Sequence, residues 1–267
     1  MFITFLSDFG LADDFVGTCH AVIKRIAPDA QIIDLTHGIQ PQAILQGALV
    51  LANTVPYAPR GVHLAIVDPG VGSGRRALAL ESGDGRRFVG PDNGLLLPAA
   101  ESLFGIEAAH ELTNPAYALT PVSATFHGRD VFSPAAAHLA RGIELAELGP
   151  PIDPESLVRL DVPAPEVSAG RIGATCLYVD RFGNMQLNLR PPHLEEAGIV
   201  PGRRVSLVVA GRPQQAVAAR TFADAEEGEL ILYEDSYRNV ALAVSRGNAA
   251  ETLGAAAGTT VEIEVPT

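Results

Sequence analysis

The sequence predicts an α/β protein: a helix-flanked, mainly parallel sheet in its N-terminal part, followed by a smaller domain of short strands. Three observations carry this. The first 160 residues alternate short apolar runs with helical repeats. Proline then clusters at Gly149-Pro150-Pro151-Ile152-Asp153-Pro154 and at Val162-Pro163-Ala164-Pro165. Beyond these, short strand-like runs alternate with turn signals.

Residues 3–7 form the first apolar run. Over 13–27, Val16, Cys19, Val22, Ile23 and Ile26 share one helical face, and Asp13 and Asp14 suit the positive end of the helix dipole. A second strand is expected at 31–35. A helix is expected over 42–53, opened by Pro41, because proline suits the first helical position. Residues 62–67 are a continuous apolar run of the kind buried on both faces. Residues 76–81 and 87–89 read as a hairpin turned by Ser82-Gly-Asp-Gly85, and helical signals follow near 94–104 and 129–141. Proline-rich stretches act as semi-rigid spacers, which divides the chain into domains 1–160 and 169–267. In the second, strands are expected at 171–179, 203–209, 214–221, 229–233, 239–244 and 260–265. That spacing suits a small β-barrel or a sandwich.

Composition narrows the function. With 19 basic against 31 acidic residues, the net charge of −12 opposes nucleic-acid phosphates and anionic lipid. Lys24, the only lysine, lies in a helical pattern with no glycine loop before it. A Schiff-base lysine and a phosphate-binding P-loop are thereby removed. Cys19 and Cys176 form no ligand-spaced pair, so neither a disulfide framework nor a structural zinc site is expected. No run reaches 18 apolar residues, and the N-terminus carries no basic stretch or cleavage pattern. The expectation is a soluble, cytoplasmic protein with no nucleic-acid or membrane partner.

Polar residues gather where the predicted strands end. Ser7-Asp8-Phe9-Gly10 follows the first, Asp34-Leu-Thr-His37-Gly38 the second, and Asp68-Pro-Gly-Val-Gly-Ser-Gly-Arg75 the third. In open α/β sheets ligands bind outside strand carboxyl ends. Taken singly, each segment also reads as an ordinary cap or turn. The glycines of 70–74 free the backbone to approach a ligand. This run starts with Asp-Pro and leads into a strand, so it is not a dinucleotide fingerprint. Asp68 and Arg75 flank it, either as site residues or as a salt bridge closing a surface loop.

Pro91-Asp92-Asn93-Gly94 and Thr125-Phe-His127-Gly128-Arg-Asp130 form a second pair of polar loops. His127 stands out because it lies between Phe126 and Gly128 at the start of a predicted helix. His20, His63, His110 and His138 fall in regular elements and are read as structural. Asp8, Asp13, Asp68, Asp92, His127 and Asp130 are weighed as metal ligands. They show no HxD, HxH or HExxH spacing, so no metal is expected. In the second domain, Tyr178-Val-Asp180-Arg-Phe-Gly-Asn184, Thr221-Phe222-Ala-Asp224 and Ser236-Tyr-Arg-Asn239 interrupt strand patterns with polar turns. Asparagine offers a donor and an acceptor suited to an adenine edge, and Phe222 offers a face for a base. Each alone also reads as a β-turn.

Assembled, these motifs resemble the SAM hydroxide adenosyltransferase family, the S-adenosyl-L-methionine (SAM) hydrolases related to fluorinase and chlorinase. The resemblance runs from Thr4-Phe-Leu-Ser-Asp-Phe-Gly-Leu-Ala-Asp-Asp14 through Asp34-Leu-Thr-His-Gly38, Val67-Asp-Pro-Gly-Val-Gly72, Pro91-Asp-Asn-Gly-Leu95 and Thr125-Phe-His-Gly-Arg-Asp130. It continues to Asp180-Arg-Phe-Gly-Asn184 and Gly247-Asn-Ala-Ala-Glu251. It implies attack of water or hydroxide on C5′ of SAM, giving adenosine and L-methionine, with no cofactor and with Asp68, Arg75 and His127 as the catalytic set. It further implies Asp8 on the ribose hydroxyls, Asn184 on the adenine edge, Phe222 against the base, and Asp180 and Ser236 on the methionine amine and carboxylate. Of the two folds the strand spacing suits, the β-barrel is the one expected for the C-terminal domain. The resemblance also implies a homotrimer, with the site between the first domain of one subunit and the second domain of its neighbour.

The nearest rival function is that of a SAM-dependent 5′-halogenase. Halogenases resemble this chain in ligand contacts but lack the Asp–Arg–His set, and the fluorinase carries an extra loop where segment 75–91 is short here. Gly128 stands where the fluorinase has a halide-binding serine, and Gln42 where it has an aromatic wall. A non-catalytic adenosine- or SAM-binding protein and a metal-dependent hydrolase are two further functions that these residue types would suit.

Overall fold

The chain opens with β1 (Phe2–Ser7), α1 (Phe15–Ile26), β2 (Gln31–Thr36), α2 (Ile44–Thr54) and β3 (Gly61–Ile66). It continues through β4 (Ala77–Ser82), β5 (Arg87–Pro91), α3 (Leu97–Glu101), β6 (Ile106–Glu111) and α4 (Ser133–Ala140). In the computed structural model, which describes residues 1–265, these elements make up the first of two units, Met1–Leu160. The strand order is β2-β1-β3-β5-β4-β6. The first four run parallel, and β4 is antiparallel to both its neighbours.

Alternation along the central strands divides the core between the two faces. Ile3 and Phe5 of β1 join Val62, Leu64 and Ile66 of β3 against residues of α1 and α4. Leu6, Ala65 and Val67 face the other way, onto α2 and α3. β1 and β3 are neighbours, yet the chain leaves β1 to build β2 on one side and returns to build β3 on the other. The order therefore reverses between them, and such a switch point opens a crevice at the strand carboxyl ends. Asp8 follows β1 and Asp68 follows β3, so both stand at that crevice.

In the first unit two elements depart from expectation. Pro41 does not open α2, which begins at Ile44. Gln42 instead adopts a left-handed backbone with φ of 67°, and its N–H donates to Asp8, so the helix starts only afterwards. The strand β6 has no counterpart among the expected elements; its sequence, IEAAHE, lacks a clear period-two pattern.

The second unit begins at Asp161 and holds β7 (Glu166–Ser168), β8 (Arg171–Val179), β9 (Met185–Leu187), α5 (Pro191–Glu196), β10 (Arg204–Val209), β11 (Arg212–Ala219), β12 (Leu230–Glu234), β13 (Val240–Val244), α6 (Ala249–Leu253) and β14 (Thr260–Glu264). The sheet order is β14-β10-β11-β12-β13-β9-β8-β7, and β14 also pairs with β8. That last pairing closes seven strands into a barrel, and β7 adds to the other edge of β8. Ile172, Met185, Leu207, Leu232, Leu242 and Ile263 fill one shared core. Closure removes the free edges that an open sheet would expose. Among the described residues, no helix is long and apolar enough to cross a membrane.

Candidate active site

In the first unit, Arg75 grips Asp68 at the loop that follows β3. Its Nε donates to Oδ1 at 2.9 Å and to Oδ2 at 3.1 Å, and Nη2 also donates to Oδ2. Both side chains are largely buried, which strengthens a charge-assisted fork of this kind. The guanidinium also lies 5.0 Å from the Phe132 ring centroid. The same Nη2 donates to Nδ1 of His127 at 2.9 Å. An arginine can only donate, so Nδ1 must accept, and the neutral ring carries its proton on Nε2. Burial and the adjacent Arg75 cation both lower the pKa of His127 below 6.5, which favours that neutral form.

The loop bearing His127 is held from behind. Pro134 has no N–H for the carbonyl of Asp130 four residues earlier, and Leu119 N donates to it instead at 2.8 Å. A π-helical turn spans Gly128–Phe132 at this point. The Asp130 carboxylate accepts from Arg129 and from Ser123 N, and those bonds keep its pKa low. Gly72 presses against the same loop. Its φ is +77°, and a Cβ there would lie 2.4 Å from the carbonyl oxygen of Ala124.

Asp8, Asp68 and His127 line one cavity of about 250 Å³, with Phe9, Gln42 and Phe126 among its walls. Asp8 accepts from Gln42 N at 2.9 Å through Oδ2. Arg75 stands behind this lining, bonded to two of its members.

Several other polar residues of the first unit serve as supports. Asp92 is buried between Arg76 and Val158 N. Asn93 donates to the carbonyl of Val67 and so steadies the end of β3. Asp92 and Asp130 are both engaged by arginine, and the six residues weighed as metal ligands form no metal cluster among the described residues. His63 is buried beside Thr4, and burial lowers its pKa to about 4.

In the second unit, Asp180, Asn184, Phe222 and Ser236 line one cavity of about 590 Å³. Two matching turns form part of its wall. In the first, Asp180 Oδ1 accepts from the N–H groups of Phe182 and Asn184, and Asn184 Nδ2 donates to Oδ2 at 2.8 Å. In the second, Asp235 Oδ1 accepts from the N–H groups of Tyr237 and Asn239. Each turn reads Asp-x-x-x-Asn and places an exposed aromatic at its third position, Phe182 in one and Tyr237 in the other. Sequence reasoning finds the first turn and misses Asp235; the shared Asp-to-Asn spacing is the available signal. Phe222 packs 5.0 Å from Tyr233, whose phenol burial raises to about 12, so it stays neutral. Seven of the eight expected residues thus line two cavities, three in the first unit and four in the second, and Arg75 stands behind the first.

A sequence profile described as the SAM hydroxide adenosyltransferase N-terminal domain matches residues 3–149, and one described as its C-terminal domain matches 174–262. The chain is 52% identical over 256 residues to a protein of Salinispora arenicola named (R)-S-adenosyl-L-methionine hydrolase, covering 96% of this chain and 95% of that one. It is 30% identical over 288 residues to a fluorinase of Actinoplanes sp., covering 98% and 96%. A crystal structure of an uncharacterized conserved protein from Thermotoga maritima superposes with a TM-score of 0.90 at 35% identity, covering 98% and 99%.

Proposed function

The chain belongs to the SAM hydroxide adenosyltransferase family, and on that premise we propose that it hydrolyses S-adenosyl-L-methionine to adenosine and L-methionine. The observation that carries this reading is the joined set Asp68–Arg75–His127 on the wall of a cavity at the switch point of the sheet.

The chemistry asks little of a leaving-group acid, because a sulfonium departs as a neutral thioether. The work lies in placing a water in line with the C5′–S bond and removing its proton. With Nδ1 engaged by Arg75, His127 presents an N–H at Nε2 and holds the oxygen rather than taking its proton. Asp68 is the carboxylate at hand to accept that proton as the C5′–O bond forms and the C5′–S bond breaks. Arg75 keeps Asp68 charged and oriented, and stabilises negative charge developing on the oxygen. Asp8 accepts from the ribose hydroxyls. Asn184 reads the adenine edge, Phe222 packs on the base, and Asp180 and Ser236 face the methionine amine and carboxylate.

Two points favour hydrolysis over halogenation. The identity is higher to the protein named as a hydrolase than to the fluorinase. At Gly128, a Cβ would lie 3.0 Å from Phe9 and 3.3 Å from Phe126, which leaves little room for a serine there. The proposal extends to a cytoplasmic homotrimer with domains 1–160 and 169–267. In it, the first domain of one subunit meets the second domain of its neighbour, so that four residues from each complete one site.

Incubating the purified protein with SAM and separating the products by chromatography tests the reaction. Adenosine and methionine in equal amounts are expected, with no 5′-halo-adenosine in chloride or fluoride. Recovery of intact SAM overturns catalysis in favour of binding alone. Light scattering tests the trimer, and a fully active monomer rejects it.

A further inference from the structure

Outside both cavities, three side chains from two stretches of the sequence converge on one point, Asp34 and His37 standing three residues apart. His20 comes from α1, Asp34 from β2, and His37 from the segment just after it. Nε2 of His20 lies 2.9 Å from Oδ1 of Asp34, and Nε2 of His37 lies 3.1 Å from the same oxygen. One ligand atom from each residue falls within 4.8 Å of the others.

His37 is the telling member. It is 5% exposed, and its buried Nε2 makes no hydrogen bond of proper geometry despite facing the carboxylate. Its other nitrogen, Nδ1, lies 2.7 Å from Ser7 Oγ, and the Phe5 ring packs edge-on at 4.7 Å. Those two contacts set the plane of the ring and aim Nε2 at the cluster. Partners of this kind orient histidines that bind metals. His20 and Asp34 are partly exposed, so an ion and a water have access.

We propose that His20, Asp34 and His37 bind a divalent transition-metal ion of the zinc class, with solvent completing the coordination. Imidazole and carboxylate donors suit such an ion. With bonds of about 2.0–2.1 Å, tetrahedral ligand atoms stand roughly 3.4 Å apart. The two contacts to Asp34 Oδ1 need open by only a few tenths of an ångström. The ion gives the His37 Nε2 a bond of proper geometry and clips α1 to the end of β2, beside the Ser7–Asp8 strand end. Sequence spacing reveals this site only in part: Asp34 and His37 stand in a D-x-x-H stretch, while His20 comes from α1 and meets them only in the folded chain.

The test uses the full chain stripped with EDTA and titrated with Zn²⁺ by calorimetry and with Co²⁺ by visible absorption. One equivalent is expected to bind with micromolar or tighter affinity, and Tm to rise by about 5 °C at 100-fold excess over Kd. His20→Ala, a partly exposed position on α1, is expected to weaken binding at least tenfold and to abolish the Tm shift. Ser7→Ala leaves all three ligands in place and is expected to weaken binding by roughly 10–100-fold through loss of ring orientation. No saturable binding, or binding by His20→Ala equal to that of the parent chain, overturns the site.

Discussion

Arg75 donates through Nη2 to Nδ1 of His127 across 2.9 Å, and this one contact decides which ring nitrogen carries the proton. Arg75 simultaneously forks onto Asp68. A single guanidinium thus sets the orientation of the carboxylate and the tautomer of the imidazole together. Such dual use requires a planar group with several fixed donors.

Arg75→Lys is therefore expected to fail despite keeping the charge. A lysine is a point charge that cannot grip Asp68 on two sides and reach His127 as well. Steady-state kinetics should show kcat reduced by roughly 10²–10⁴-fold with KM for SAM changed only a few-fold, and Asp68→Ala and His127→Ala should match it. Near-parental turnover in all three variants would remove the set from the chemistry.

The pH dependence of kcat/KM follows from the neutral His127. Its pKa is depressed below 6.5 by burial and by Arg75. The ring is neutral above that value, and protonation at lower pH breaks the bond from Arg75 and sets two cations side by side. A plateau above pH 6.5 with an acid limb centred below 6.5 is expected. A limb centred above about pH 7 contradicts the assignment.

His63 makes a prediction about stability rather than activity. Its folded pKa of about 4 lies below the ordinary 6.5, so the unfolded chain binds more protons between those values. Stability from this group is intact above pH 6.5 and is lost as pH falls toward 4, by about 3 kcal/mol in all. Urea midpoints measured across that range should fall less steeply for His63→Gln than for the parent. Parallel curves would show that His63 does not contribute to the acid sensitivity.

Gly72→Ala should loosen the contact between the loop after β3 and the loop bearing His127. The substitution meets a φ of +77° and the Ala124 carbonyl at once. A loss of at least about 1 kcal/mol of stability is expected, with kcat lowered more than KM is raised. Unchanged unfolding and unchanged kinetics together would show that the two loops do not depend on this approach.

Much of the fold was legible because its signals are local. β8, read at 171–179, has the predicted bounds, since a nine-residue run with apolar alternation announces itself. β7 and β9 span three residues each, too short to display a period. The candidate residues were legible as types: a carboxylate, an arginine and a histidine in glycine-rich loops after strands. Their neighbours were harder to rank. Asp92 and Asp130 looked equally available, and only their own burial against arginine partners marks them as supports.

By itself, the sequence determined the alternation of elements, the polar loops at strand ends and the kinship those motifs carry, because each depends on neighbours within a few residues. Tertiary structure alone decided which polar groups meet. Asp8 and Asp68 share a crevice because the strand order reverses between β1 and β3, and residues 75 and 127 are joined because the loop before α4 packs on the loop after β3 at Gly72. His20, Asp34 and His37 converge because α1 packs near the end of β2, while nothing in their spacing requires it. Burial and orientation are properties of the packed chain. They decide whether a histidine is a filler, a donor or a ligand.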